Sequence, residues 1–202
     1  MNRNTLIGTA VGLVVGILVG YIIGSSRTPE RPIAPAAVAP ASPFPVAPLP
    51  GAPGGELPAR IAQTEQLVAR DPKNAQAWVQ LGNDYFDLAK STNDPTQQRK
   101  SVEAYNHALT IAPNSPDVLT DQGVMYRDLG EYQKAVANFQ KANQVDPNHV
   151  QSLFNLGVVY AQDLKQPDKA IAAWNRVIEV SPGSPQAAQA RQLIDNAKRS
   201  GK

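Results

Sequence analysis

Trp78-Val79-Gln80-Leu81-Gly82-Asn83-Asp84-Tyr85 sets a tryptophan, a leucine and a tyrosine at i, i+3 and i+7, with a glycine beside the leucine. In a helix those three side chains fall on one face. The same grammar returns at Leu119-x-x-Gln122-Gly123-x-x-Tyr126 and at Leu153-x-x-Leu156-Gly157-x-x-Tyr160. A second amphipathic run follows each copy and stops at Pro113, Pro147 or Pro182, because proline cannot continue the helical hydrogen-bond ladder. The unit is a pair of helices. One such pair cannot bury its apolar face alone, so the copies must stack on one another.

A unit of about 34 residues with this pattern resembles the tetratricopeptide repeat, and the resemblance covers residues 75–184. In the first copy the second helix carries Ser101, Tyr105 and Ala108, with Ser101 where the family prefers alanine. The second copy has Gly130 at its turn, then Ala135, Phe139 and Ala142; the third runs on through Ala170, Trp174 and Val177. Two departures stand out. About seven extra residues lie between the helices of the first copy, where Asp94 as N-cap and Pro95 in the first turn predict an early start for its second helix. The other is Gln122, where leucine is usual; a buried amide needs partners, so it reaches a backbone group or sits at an edge.

Terminal repeats need covers. Residues 56–71, with Ile61, Leu67 and Val68 apolar, supply one in front. Residues 185–199, with Ala187, Ala190, Ile194 and Ala197 on one face and Leu193 beside it, supply one behind. The expected fold is therefore all-α: a solenoid of three helix pairs (about 75–115, 116–149 and 150–184) plus two capping helices, eight helices in all and no sheet, within a domain at 59–199.

The first quarter of the chain reads differently. Residues 5–24 carry no ionisable group and are long enough as a helix to cross a hydrocarbon core of about 30 Å. The exit, Tyr21-Ile22-Ile23-Gly24, has bulky residues where a cleaved signal wants small ones. Residues 1–26 are expected to be an uncleaved single-pass anchor. A very short amino-terminal tail stays in the cytoplasm, which sends the repeats outward, into the periplasm of a bacterium; Arg3 before the span and Arg27 and Arg31 after it hardly discriminate. Gly8, Gly12, Gly16, Gly20 and Gly24 recur every fourth residue and form a stripe that lets two helix backbones approach closely. The stripe implies self-association or docking on another transmembrane helix, unless the ordinary frequency of glycine in membrane spans accounts for it. Ten prolines between Pro29 and Pro58 mark residues 27–58 as a Pro/Ala-rich linker, disordered or extended.

Composition excludes much chemistry. The formal net charge is +2 with acidic and basic residues interleaved, so no nucleic-acid footprint is expected. There is no cysteine, and His107 and His149 have no second histidine one turn away, which leaves no metal site and no cofactor to expect. Both histidines read as surface residues. Asp117 and Asp121 lie one turn apart as a carboxylate pair might, but on a solvated face they read as charge decoration. No phosphate-binding loop, nucleophile elbow or zinc-protease motif occurs, and no enzyme is predicted.

What the resemblance implies about function is a peptide groove lined by the first helix of each pair. The family's groove positions fall on Gln76, Val79, Gln80, Asn83, Phe86 and Asp87 in the first copy. They fall on Asp117, Thr120, Asp121, Val124, Arg127 and Asp128 in the second, and on Gln151, Phe154, Asn155, Val158, Ala161 and Gln162 in the third. Val79, Phe86, Val124, Phe154 and Val158 would form an apolar strip bordered by aspartates, with Arg127 the lone cation. Relatives that hold the acidic tails of heat-shock chaperones use Lys, Asn, Asn, Lys and Arg at positions occupied here by Val79, Asn83, Asp121, Gln151 and Asn155. Only Asn83 matches, which speaks against that ligand. The expected function is a membrane-tethered scaffold or assembly factor that docks an apolar or mildly basic segment of a protein partner in an envelope complex. Two rivals remain: a glycine-striped span that assembles oligomers with the repeats as spacer, and a receptor on an organelle surface.

Overall fold

The computed structural model describes residues 56–200. They form eight α-helices: α1 Leu57–Arg70, α2 Ala75–Thr92, α3 Pro95–Ile111, α4 Pro116–Asp128, α5 Tyr132–Val145, α6 Val150–Val158, α7 Pro167–Val180 and α8 Pro185–Ser200. A five-residue π turn, Val159–Asp163, follows α6, and no strand occurs among the described residues. The expected anchor at 1–26, its glycine stripe and nearly all of the 27–58 linker lie outside the described residues. Within them, no helix is long and apolar enough to cross a membrane.

Local chemistry sets the helix boundaries. Asp71, Ala112, Asp146 and Ser181, each just before a proline, leave helical dihedrals, with ψ of 80°, 84°, 100° and 65°. At the starts, the side chains of Asn74, Asp94 and Ser115 accept from the backbone N–H groups of Ala77, Thr96 and Val118, satisfying donors that have no partner within the helix. The extra residues of the first copy make no loop. They lengthen α2 to Thr92, turn through Asn93 in the left-handed region (φ 52°), and restart at Asp94 and Pro95 as the sequence predicts.

The third copy departs in a way the sequence reading passes over. Twelve steps separate Gly123 from Ala135, but thirteen separate Gly157 from Ala170. A π turn encloses one residue more than an α turn. Here Leu164 donates to the Val159 carbonyl at 3.0 Å, closing the wider turn that takes up the additional residue.

Packing follows the motif. Tyr105, Phe139 and Trp174 are each 1% exposed or less. Their rings lie against Gly82, Gly123 and Gly157, where a Cβ would meet them at 2.4, 2.6 and 2.3 Å. Glycine is required there because backbone and ring touch directly. Each helix packs on its chain neighbours, and α2, α4, α6 and α8 also touch in sequence, so the first helices share one layer. Both polar oddities are satisfied. Ser101 Oγ donates to the Gly82 carbonyl at 2.9 Å. Gln122 donates to the Val102 carbonyl and Asn106 Oδ1, and accepts from Asn138. The rear cover buries Ala187, Ala190 and Ile194 as expected. The front cover is looser: Ile61 and Val68 are buried, but Leu67 is 46% exposed, beside a hollow of about 360 Å³ bounded by Arg60, Thr64 and Gln80. Among the described residues, its outer face has no further helix to pack against.

Candidate functional site

The layer of first helices carries most of the predicted groove residues, and it corrects two of them. Val79 is 6% exposed and packs with Tyr105, Ala108 and Val118; Thr120 is 1% exposed and donates to the Pro116 carbonyl at 2.7 Å. Both belong to the core. Val79 faces α3 and Val118 of α4, and Thr120 lies beside His149 at the start of α6. Phe86, Val124, Phe154 and Val158 are half-buried: each packs on the core with one edge and leaves the other open. Asn83 and Asn155 are half-buried and Gln151 and Gln162 exposed.

The charges are arranged as a ladder between successive units. Arg60 Nε of α1 lies 2.6 Å from Asp84 Oδ1, and its Nη2 lies 3.6 Å from Asp87. Lys90 Nζ reaches Asp128 at 2.6 Å. Arg127 Nε meets Asp163 at 2.5 Å while its Nη2 donates to Gln162 at 2.8 Å. Arg127 is therefore not a free groove cation but a strut between the second and third units, and it is not alone, since Arg60 flanks the same face. Sequence reasoning misses Asp84 and Asp163. Asp84 is wholly buried and also accepts from Gln80 at 2.8 Å. No local pattern links it to an arginine twenty-four residues earlier. Asp163 sits in the π turn, and counting the extra residue is the signal that could have found it.

His149 is likewise not a surface histidine. Its Nδ1 accepts from the Ser152 backbone N–H at 3.3 Å, capping α6, while Nε2 contacts Asp117 Oδ1 at 3.0 Å. The cap requires an unprotonated Nδ1, so Nε2 carries the proton and donates it to the carboxylate. Aspartate, histidine and serine here do not form a nucleophilic triad. Ser152 is fully buried and its hydroxyl is held by Asn143 and the His149 carbonyl, while the Asp117 side chain is 84% exposed. The arrangement clips one unit to the next. His107 is exposed and stacks on Trp78 at 4.2 Å.

Asp121 is the electrostatic anomaly. It is half-buried, and burial, with Asp117 and Asp87 nearby, pushes its carboxyl up to about 7. Because this lies above the ordinary value of 3.8, the folded protein holds the proton more tightly than the unfolded chain. Stability therefore falls as pH rises from about 4 to about 7 and is level beyond. Asp121→Asn abolishes that slope. Urea denaturation should find the variant more stable than the parent by about 2 kcal/mol at pH 7.5, after allowance for solvent screening, and equal to it at pH 4. A gain that is the same at both pH values would contradict the assignment.

A family model described as TPR repeat matches residues 123–163, and one described as tetratricopeptide repeat matches 151–184. The described helices form a tetratricopeptide-repeat solenoid. Among solved structures, the crystal structure of MamA superposes with a TM-score of 0.60 at 22% identity, covering 72% of this chain and 84% of MamA. The first TPR of Spaghetti (RPAP3) bound to the HSP90 peptide SRMEEVD gives 0.55 at 18% identity, covering 64% and 94%. At such identities the likeness is one of fold. In sequence, the chain is 25% identical over 134 residues to the photosystem I assembly protein Ycf3 of Synechococcus sp. (strain CC9605), spanning 58% of this chain and 75% of Ycf3. Of these, Ycf3 is named for photosystem I assembly, and the Spaghetti repeat is seen with a bound HSP90 peptide.

Proposed function

We propose that the protein is a membrane-anchored scaffold or assembly factor, and that its first-helix face docks an apolar or mildly basic segment of a protein partner belonging to an envelope complex. The observation that carries this reading is the row Phe86, Val124, Phe154 and Val158, half-open along a layer that no further helix covers among the described residues. Amphipathic segments bind in this manner, with apolar anchors on a preformed helical surface. Tethering rests on the uncharged stretch at residues 5–24, and the proposal places the repeats in the periplasm. Phe154→Asp combined with Val124→Asp should remove at least nine-tenths of the partners recovered with the full chain from solubilised membranes, the loss expected when central anchors of an interface are replaced. The helical circular dichroism should be unchanged. Undiminished recovery refutes the groove.

The glycine stripe favours a second reading, in which the span assembles oligomers and the repeats act as spacer. Gly12→Leu with Gly16→Leu, carried through the same recovery experiment, separates the two, since only this reading predicts that loss of self-association abolishes function while the repeats still capture partners.

A further inference from the structure

The cations of the first-helix face are already engaged. Arg60 serves Asp84 and Asp87, Lys90 serves Asp128, and Arg127 serves Asp163. What remains is a surplus of carboxylate on α2 and α4. Asp87 is 62% exposed with only a 3.6 Å contact to Arg60, and Asp117 is 84% exposed with only His149 beside it. Asp121, half-buried one turn beyond Asp117, has neither hydrogen bond nor ion pair among the described residues. Like charges at i and i+4 repel on a helix, and a desolvated carboxylate without a counter-ion is unfavourable. Nothing in the packing of α4 needs this arrangement, because the core contacts of that helix are made by Val118, Leu119, Gln122 and Met125. The free protein thus carries an electrostatic strain that an incoming positive charge relieves. That charge is not a metal ion: among the described residues no group of acidic or histidine side chains converges closely enough to hold one. A spread of carboxylates beside apolar side chains suits an organic cation on a flexible stem.

We propose that the segment docked on this face carries a lysine or arginine flanked by apolar residues, with its cation seated among Asp121, Asp117 and Asp87 and its apolar neighbours covering Phe86, Val124 and Phe154. The inference rests on the groove reading above and adds the chemical class of the ligand. It has two consequences. Binding weakens with salt, since charge is neutralised near the surface. It also expels a proton from Asp121, so affinity climbs between about pH 5.5 and 7.5 and levels off above, where that carboxyl is already ionised.

The test is selection from a random phage-displayed peptide library on the full chain, held in detergent, with the parent, Asp121→Asn and Phe154→Asp compared. The parent should enrich peptides with a basic residue between apolar ones. Asp121→Asn should still select apolar peptides but lose the basic preference, and the best basic peptide should bind it about tenfold more weakly with no change of affinity from pH 5.5 to 7.5. Phe154→Asp should select nothing. Peptides without basic residues from the parent, or a basic preference that persists in Asp121→Asn, overturn this inference and leave the groove standing. No selection by the parent, or selection indifferent to Phe154→Asp, overturns the groove itself.

Discussion

Trp174→Ala is expected to lower the unfolding free energy by about 4 kcal/mol, near the upper end for truncating a buried aromatic. The side chain is 1% exposed and sits in the cluster of Leu153, Ala170, Val177, Ala187, Ala190 and Ile194, which joins α6, α7 and α8. Its indole lies against the backbone at Gly157 and donates to the Phe154 carbonyl at 3.3 Å. Removal leaves a cavity that Gly157 has no side chain to fill, and the helices on either side cannot close onto it. Because stacked repeats interact mainly with their neighbours, the damage should be local. Hydrogen exchange should show α7 and α8 losing protection first while α2 and α3 keep theirs. Trp78 is the comparison, being half-buried, stacked on His107 and held by the Pro72 carbonyl at 2.9 Å. Trp78→Ala should cost about 1–2 kcal/mol, since much of that ring already faces water. Equal losses at the two tryptophans would refute this account of the core.

The contrast between these two tryptophans marks what can be read from sequence here. Short-range regularities announce themselves: the glycine under each aromatic, the proline after each second helix, Asp94 and Pro95 restarting α3. The proline and the cap are requirements of local backbone geometry, the glycine is one of close approach between two helices, and each is found where the repeat pattern places it. The face of a side chain was harder to read. Val79 and Thr120 hold the same register as Phe154, yet both are buried while Phe154 keeps an open edge. Partners between units are less readable still. Arg60 with Asp84, Arg127 with Asp163 and His149 with Asp117 bridge 24, 36 and 32 positions, distances at which a single sequence offers no pairing signal. The π turn lies between these cases. It is readable as a single extra residue, but only once the copies are aligned step by step.

The ladder between units yields the second large effect. Arg60→Ala should destabilise the protein by about 3 kcal/mol, because it leaves the carboxylate of Asp84 buried without its cation. Asp84 has no exposed surface, and Gln80 Nε2 at 2.8 Å and Thr64 Oγ1 at 3.4 Å are all that would remain to it. Removing the charge instead should be milder. Asp84→Asn keeps a polar side chain of the same shape, and Arg60, which is 31% exposed, can turn to water. The diagnostic is the double variant. Arg60→Ala with Asp84→Asn should be more stable than Arg60→Ala alone by about 1–2 kcal/mol, a coupling that appears only when two groups interact directly. Losses that simply add would mean that Arg60 matters through the packing of its aliphatic stem on α2. In that case the front cover would be held by Ile61 and Val68 alone. Coupling instead makes the buried ion pair the joint that sets α1 on the first repeat, and with it the angle at which Arg60 meets Asp87 at the edge of the groove.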